Sequence, residues 1–148
     1  MKSGTEKAKE LWEQVLALQS NLSDDTDCKE VISLLKEARS QVDQDALLCA
    51  DIEHALGFAL LYADLRVGVN AEEISLAHSL LKKCADGKTE KAPVAASHLG
   101  VMYTEGRGCK KNFDLAFYYF QKAHDAGYDC SEQLRRFRKK FFGGYTLR

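Results

Sequence analysis

Proline and glycine are scarce in this chain: its 148 residues include one proline, Pro93, and ten glycines. Turn-rich β folds use more prolines at sheet edges and corners, so this composition favours long helices with short connections. The chain also lacks an apolar run near the roughly 18 to 20 residues that a membrane span requires, and its charged start lacks the core of a signal peptide. We therefore expect no membrane span and a cytoplasmic location, with the nucleus as the alternative.

Pairs of residues with metal-ligand spacing are also missing. The chain has five cysteines, an odd number, and no two of them are separated by the two to four residues of a metal knuckle. Its histidines are His54, His78, His98 and His124, at intervals of 20 to 26 residues, so no pair shares one helical turn. We expect reduced, buried thiols, no metal and no cofactor.

Charge is balanced in total but not along the chain. The formal net charge is −1, yet acidic residues crowd the first third, from Asp24 to Glu53. The end of the chain is the opposite, because between Gln133 and Arg148 every charged residue is basic. The molecule should therefore carry a dipole from an acidic beginning to a basic end.

Apolar periodicity predicts seven helices, six of which form three hairpins in a single all-α domain. Asn70 and Asn112 are placed to cap helices, and Pro93 suits the first turn of another. The predicted hairpins cover about 5–42, 45–87 and 90–127, followed by a capping helix at about 129–142 and a tail at 143–148.

The second helices of the three hairpins resemble one another. Ser33-Leu34-Leu35-Lys36-Glu37-Ala38 returns as Ser79-Leu80-Leu81-Lys82-Lys83-Cys84 and as Tyr118-Tyr119-Phe120-Gln121-Lys122-Ala123, at offsets of 46 and 39 residues. A period near 40 residues built from two helices is typical of an α/α solenoid, a superhelix in which each hairpin buries its apolar face against its neighbours. Three hairpins and a terminal cap fit the chain length.

The last hairpin carries a recognisable motif. Its residues are Ala96, Leu99, Gly100, Tyr103, Gly106, Gly108, Asn112, Ala116, Phe120, Ala123 and Gly127. This run resembles the Sel1-like repeat, a relative of the tetratricopeptide repeat, and the second hairpin is similar to a degenerate copy. Cys109, Asn112 and His124 depart from the family's usual valine, aspartate and alanine. The resemblance implies a right-handed solenoid whose concave face is formed mainly by the first helix of each hairpin.

Motifs for catalysis are weak. Gly87-Lys88-Thr89 suggests a phosphate-binding loop, but Lys82 stands where that motif needs a glycine, and a helix precedes it. Gly106-Arg107-Gly108 fits a turn between helices. No local serine, histidine and acid motif is present, so we expect no enzyme and no small-molecule substrate.

Two segments contain residues that cannot all be buried in one helical core. The rings of Phe117-Tyr118-Tyr119-Phe120 point all round a helix, so Phe117 and Tyr118 must meet the seventh helix, the tail or another molecule. Arg135, Arg136, Lys139 and Lys140 are expected on the outer arc of the capping helix, opposite a buried stripe that includes Phe137 and Phe141. They form either a solvated cap or a surface for an acidic protein, an import receptor or a nucleic-acid backbone.

These patterns together indicate a non-catalytic adaptor or scaffold that binds a peptide or helix of a partner protein inside a larger complex. The alternative is a nucleic-acid-associated module that uses the basic end of the chain. The predicted partner-binding residues are His54, Phe58, Tyr62, Ser97, Val101, Thr104, Phe117, Tyr118, Arg135, Arg136, Lys139 and Lys140.

Overall fold

The computed structural model describes residues 2–19, 25–42 and 45–148. These ranges form seven helices and a two-stranded antiparallel ribbon. The elements are α1 (Gly4–Gln19), α2 (Asp25–Gln41), α3 (Ala46–Arg66), α4 (Ala71–Ala85), α5 (Ala92–Glu105), α6 (Phe113–Asp125), α7 (Ser131–Arg135), β1 (Phe137–Lys139) and β2 (Tyr145–Leu147).

The first six helices pack in chain order as antiparallel pairs. α1 packs on α2, α3 on α4 and α5 on α6, and each pair also contacts the next through its neighbouring helix. α3 also touches α5, which brings together the first helices of two hairpins. This arrangement confirms the predicted succession of helical hairpins.

Local signals set the helix starts as the sequence predicts. The Asn70 side chain accepts a hydrogen bond from Glu73 N at 2.8 Å, which caps α4, and its amide donates to Glu73 Oε1 at 2.8 Å. Asn112 accepts from Leu115 N at 3.0 Å, and Pro93 lies in the first turn of α5.

Two glycines allow close helix packing at equivalent places in the second and third hairpins. A Cβ atom on Gly57 would lie 2.9 Å from Leu81 Cγ, and one on Gly100 would lie 2.6 Å from the Phe120 ring. Each glycine follows a fully buried leucine, Leu56 or Leu99. The two hairpins therefore use the same contact between their first and second helices.

The repeated positions of the second helices have equivalent environments. Leu35, Leu81 and Phe120 are each at most 3% exposed, and the alanine or cysteine three positions later is also buried in every hairpin. One common core thus runs through the three pairs, as the internal repeat predicts.

A polar seam joins the second hairpin to the third. His78 Nε2 lies 3.0 Å from the Tyr103 hydroxyl, and the Tyr103 ring stacks on Tyr119 at 5.8 Å. The Tyr119 hydroxyl donates to Asp86 Oδ1 at 3.2 Å. Burial and the adjacent Asp86 carboxylate raise the pKa of Tyr119 to about 12, so this hydroxyl remains a donor at neutral pH.

The predicted capping helix is wrong beyond Arg135. α7 ends there, and the chain continues as the β1–β2 ribbon, in which Phe137 pairs with Leu147 and Lys139 with Tyr145. Phe141, expected on a buried stripe, is 95% exposed. The all-α expectation therefore fails for this last segment.

Packing on α6 explains the extended conformation. Phe137 is buried, with its ring 6.0 to 6.3 Å from the rings of Phe113, Phe117 and Phe120. Gly143 and Gly144 have φ of 95° and 79°, which reverses the chain so that β2 can pair with β1. A continued helix would instead place basic residues of the segment three and four positions apart, where like charges repel.

Candidate functional site

An exposed apolar stripe runs along α3. We define the α3 stripe as Leu47, His54, Phe58, Tyr62 and Leu65, which recur at helical spacing on one face. Phe58 and Tyr62 are each 40% exposed, Leu65 is 46% exposed and Leu47 is 72% exposed. α3 also buries Ile52, Leu56 and Leu60 completely on its other side. The helix is thus apolar on both its core face and its outer face.

The centre of the stripe is an aromatic cluster shared with α5. The His98 ring stacks on His54 at 5.9 Å and lies 4.9 Å from Phe58, while Phe58 stacks on Tyr62 at 6.1 Å. Arg66 covers the end of the cluster, 5.5 Å from the Tyr62 ring centre, and donates to the Tyr62 hydroxyl. These contacts give the Phe58 and Tyr62 rings packing partners within the chain itself.

Both histidines of this cluster are neutral at pH 7. Burial, with a smaller effect of His54, lowers the pKa of His98 to about 4. Burial and the charge of Lys91 lower the pKa of His54. Within the described residues, His54 Nε2 and His98 Nδ1 are buried without a hydrogen-bond partner. The cluster is therefore an apolar surface above these two histidine nitrogens.

The three predicted residues of α5 do not lie open at this surface. Ser97 is buried, and its hydroxyl donates to Val94 O at 2.6 Å. Thr104 is half-buried and donates to Gly100 O at 2.7 Å. Val101 is half-buried and packs against the core. The structure thus brings together His54, Phe58 and Tyr62, whereas these α5 side chains mainly serve the fold.

Sequence reasoning missed Leu47, Leu65 and His98 as members of the surface. The two leucines could have been found by extending the spacing of His54, Phe58 and Tyr62 in both directions along the helix. His98 has no comparable signal, because its meeting with His54 depends on how α5 packs beside α3.

The tail covers Phe117 but leaves Tyr118 open. Phe117 stacks on Tyr145 with ring centres 3.9 Å apart, whereas Tyr118 is 54% exposed. Tyr118 and Phe117 line an open groove of about 630 Å³ with Asp114, Lys122 and Tyr145. Phe117 is therefore covered by the tail of the same chain, which is one of the alternatives predicted for these two rings.

The four predicted basic residues do not share one helix. Arg135 ends α7, Arg136 follows it, Lys139 ends β1 and Lys140 begins the turn between the strands. All four are exposed. The expected arc of cations on a capping helix is wrong, since the chain is extended from Phe137, but the cations remain grouped at one end of the sequence.

A buried carboxylate joins three helices away from the α3 stripe. Glu53 is 5% exposed and accepts hydrogen bonds from Lys83 Nζ and Cys49 Sγ, both at 2.9 Å, while Arg39 Nε lies 3.9 Å away. Burial by itself raises the pKa of Glu53, but these hydrogen bonds and the two cations together lower it. The arrangement ties α2 and α4 to α3.

The burial of the cysteines bears on the state of the thiols. Only Cys84 and Cys130 are buried; Cys28, Cys49 and Cys109 are half-buried and all five are free, so the expectation of buried thiols holds for two of them. Burial raises the pKa of Cys84, Cys109 and Cys130, which disfavours the reactive thiolate. In the described ranges, no group of three His, Cys, Asp or Glu side chains could hold a metal ion.

Among the helices within residues 2–19, 25–42 and 45–148, none is long and apolar enough to cross a membrane.

The stacked antiparallel hairpins and the glycine-rich turn between α5 and α6 are consistent with a helical-repeat fold of the tetratricopeptide-like kind. More specifically, residues 93–128 match the family model described as Sel1 repeat, which confirms the resemblance of the third hairpin. Sel1 repeats are generally protein-interaction modules, and proteins built from them are typically non-catalytic adaptors. No curated protein and no solved structure matches the chain.

Proposed function

We propose that this protein is a non-catalytic adaptor that binds a helix of a partner protein on the α3 stripe. The observation that carries the proposal is the exposure of Phe58, Tyr62 and Leu65 on a helix whose other face is fully buried. Contiguous exposed apolar surface is uncommon on a monomeric protein and marks interaction sites.

The spacing of the stripe favours a helical partner. Its residues lie seven, four, four and three positions apart, which keeps them on one helix face, and such a face packs against another helix laid along it. Phe58 and Tyr62 stand at its centre, and tyrosine is among the residue types enriched in binding hot spots.

The rigidity of the surface supports binding. Phe58 rests on His98, and Tyr62 is held by Arg66, so these rings are ordered in the free protein. A side chain that is already fixed loses less conformational entropy on association.

The test begins with affinity capture of a partner protein by the unmodified chain, and the double substitution Phe58→Ser and Tyr62→Ser is then compared with it. Both rings are 40% exposed, so helicity should be retained. Removing two hot-spot rings should weaken binding by about 30-fold or more, equivalent to at least roughly 2 kcal/mol, when the captured partner is titrated by calorimetry.

Tyr128→Ser is the matched control, because Tyr128 is 44% exposed and lies outside the stripe. It should bind as the unmodified chain does. Equal binding by the double variant and the unmodified chain would contradict the proposed surface.

A further inference from the structure

The tip of the β1–β2 ribbon presents two adjacent phenylalanines to solvent. We call Phe141 and Phe142 the aromatic tip; they are 95% and 96% exposed. Lys140 N donates to Gly144 O at 2.8 Å, and Gly143 N donates to Lys140 O at 3.2 Å. These bonds close a tight loop that holds Phe141 and Phe142 at its two central positions.

Folding does not explain these two side chains. Tight loops of this kind favour glycine, asparagine, aspartate and serine, and here Gly143 and Gly144 already supply the positive φ values that the turn requires. The two rings contact each other edge to face at 5.0 Å and remain almost entirely in water. Polar residues would serve the turn better, which indicates a role in binding.

The surroundings of the aromatic tip are strongly basic. Arg138, Lys139 and Lys140 precede it directly, all three are exposed, and the sequence from Gln133 to Arg148 contains no acidic residue. One acid faces the ribbon from α6: Asp114, whose carboxylate accepts a hydrogen bond from Tyr145 N at 2.6 Å. Positive charge therefore dominates around the two rings.

The ribbon is fixed to the rest of the molecule. Phe137 is buried against α6, Tyr145 stacks on Phe117, and Asp114 holds the backbone of β2. The aromatic tip is thus carried on an anchored support, so that little order has to be gained when it binds.

We propose that the aromatic tip inserts into the surface of a membrane that contains anionic lipids. Apolar side chains enter the boundary between headgroups and acyl chains, and adjacent cations are attracted to anionic headgroups. The tip is convex, so a deformable bilayer can surround both rings, whereas a protein would need a matching pocket. Single-stranded nucleic acid is usually bound in a basic groove with stacking platforms, which a protruding loop does not provide.

The experiment is flotation of the full chain with vesicles of phosphatidylcholine alone or with phosphatidylserine added. We expect binding to the anionic vesicles and little binding to the neutral ones, with affinity that falls as salt rises. The double substitution Phe141→Ser and Phe142→Ser should weaken binding by about tenfold or more, because the apolar contribution is lost. Lys139→Gln with Lys140→Gln should weaken it on anionic vesicles only.

Leu115→Ser is the control, since Leu115 is an exposed apolar residue of α6 outside the ribbon. It should bind vesicles as the unmodified chain does, and circular dichroism should show the same helicity in every variant. The proposal is overturned if anionic vesicles are not bound, or if the loss of both rings leaves binding unchanged. Binding of a generic oligonucleotide that needs both rings, without vesicle binding, would overturn it in favour of nucleic acid.

This inference is independent of the α3 stripe. The Phe58 and Tyr62 double variant should still bind vesicles, and the Phe141 and Phe142 double variant should still bind the protein partner. The two proposals can therefore fail separately.

Discussion

Gly106 and Gly108, in the turn between α5 and α6, show how a residue's surroundings decide the effect of one added methyl group. Both have positive φ, 71° and 68°. A Cβ on Gly106 would have its nearest neighbour at 3.4 Å, whereas a Cβ on Gly108 would lie 2.4 Å from Ile74 O in α4. Gly108 is therefore the point at which the third hairpin meets the backbone of the second.

Gly108→Ala should accordingly be much more harmful than Gly106→Ala. At Gly106 we expect only the strain of a left-handed conformation, about 1–2 kcal/mol. At Gly108 the clash with α4 should add about 1–3 kcal/mol, since the helix has to move. Urea unfolding monitored by circular dichroism measures both variants. Equal losses would show that the turn does not rest on α4.

His98 gives the stability of the protein a dependence on pH. Its pKa is about 4 in the folded chain, against an ordinary value of 6.5. Between these values the unfolded chain binds a proton that the folded chain does not, so stability falls as pH drops below about 7 and the loss is complete near pH 4. The lowered pKa values of His54 and His78 act in the same direction.

His98→Phe should remove this contribution while keeping an aromatic ring against Phe58. At pH 7.5 the protonation of His98 should contribute almost nothing to the difference in stability between the two proteins. At pH 5 the unmodified chain should have lost on the order of 2 kcal/mol more stability than the variant. Urea unfolding at both pH values provides the measurement. The same pH dependence in both proteins would show that His98 is protonated at pH 5 in the folded chain, so that its pKa is not lowered.

At the scale of the elements, the ribbon acts as the cap of the last hairpin through Phe137. This side chain is 4% exposed and lies among the rings of Phe113, Phe117 and Phe120. Phe142 belongs to the same ribbon and is 96% exposed. Phe137 therefore reports on the structural role of the ribbon, and Phe142 reports on the role of its tip.

Phe137→Ala should destabilise the protein by about 3–5 kcal/mol, as truncation of a buried aromatic residue does. Phe142→Ala should change stability by less than about 0.5 kcal/mol. Thermal and urea unfolding of both variants tests this. A small loss for Phe137→Ala would mean that α6 is stable without its cover.

Helices and ribbon differ in how far the sequence reveals them. The second hairpin is predicted from about residue 45, and its first helix, α3, begins at Ala46, because apolar periodicity and capping residues are local signals. In the segment after Cys130, the three- and four-residue steps of Cys130, Leu134, Phe137 and Phe141 favoured a longer helix. The competing contact, Phe137 against the rings of α6, is tertiary and leaves no local pattern.

The candidate site was predictable in part for the same reason. His54, Phe58 and Tyr62 share a face by their spacing on one helix. The sequence wrongly predicts Ser97 and Thr104 at the exposed surface. Because α5 is apolar nearly all round, its sequence does not determine which side of the helix faces the core. Both hydroxyls bond to carbonyls of their own helix, which lets them occupy inward positions at little cost.

At the scale of the whole molecule, three hairpins stack in sequence and leave the α3 stripe and the aromatic tip exposed on separate elements. The α3 stripe lies on the first helix of the second hairpin, and the aromatic tip lies at the end of the chain. A stacked repeat provides this separation, because each hairpin needs only its neighbours for stability.

The most direct test of the adaptor proposal is site-specific photocrosslinking in the native cell. A photoreactive phenylalanine analogue is placed at position 58 or 62, with position 128 as the matched exposed control. The account predicts that positions 58 and 62 form a crosslink to the same partner protein and that position 128 does not. A partner that crosslinks at position 128 but at neither 58 nor 62 would contradict the account.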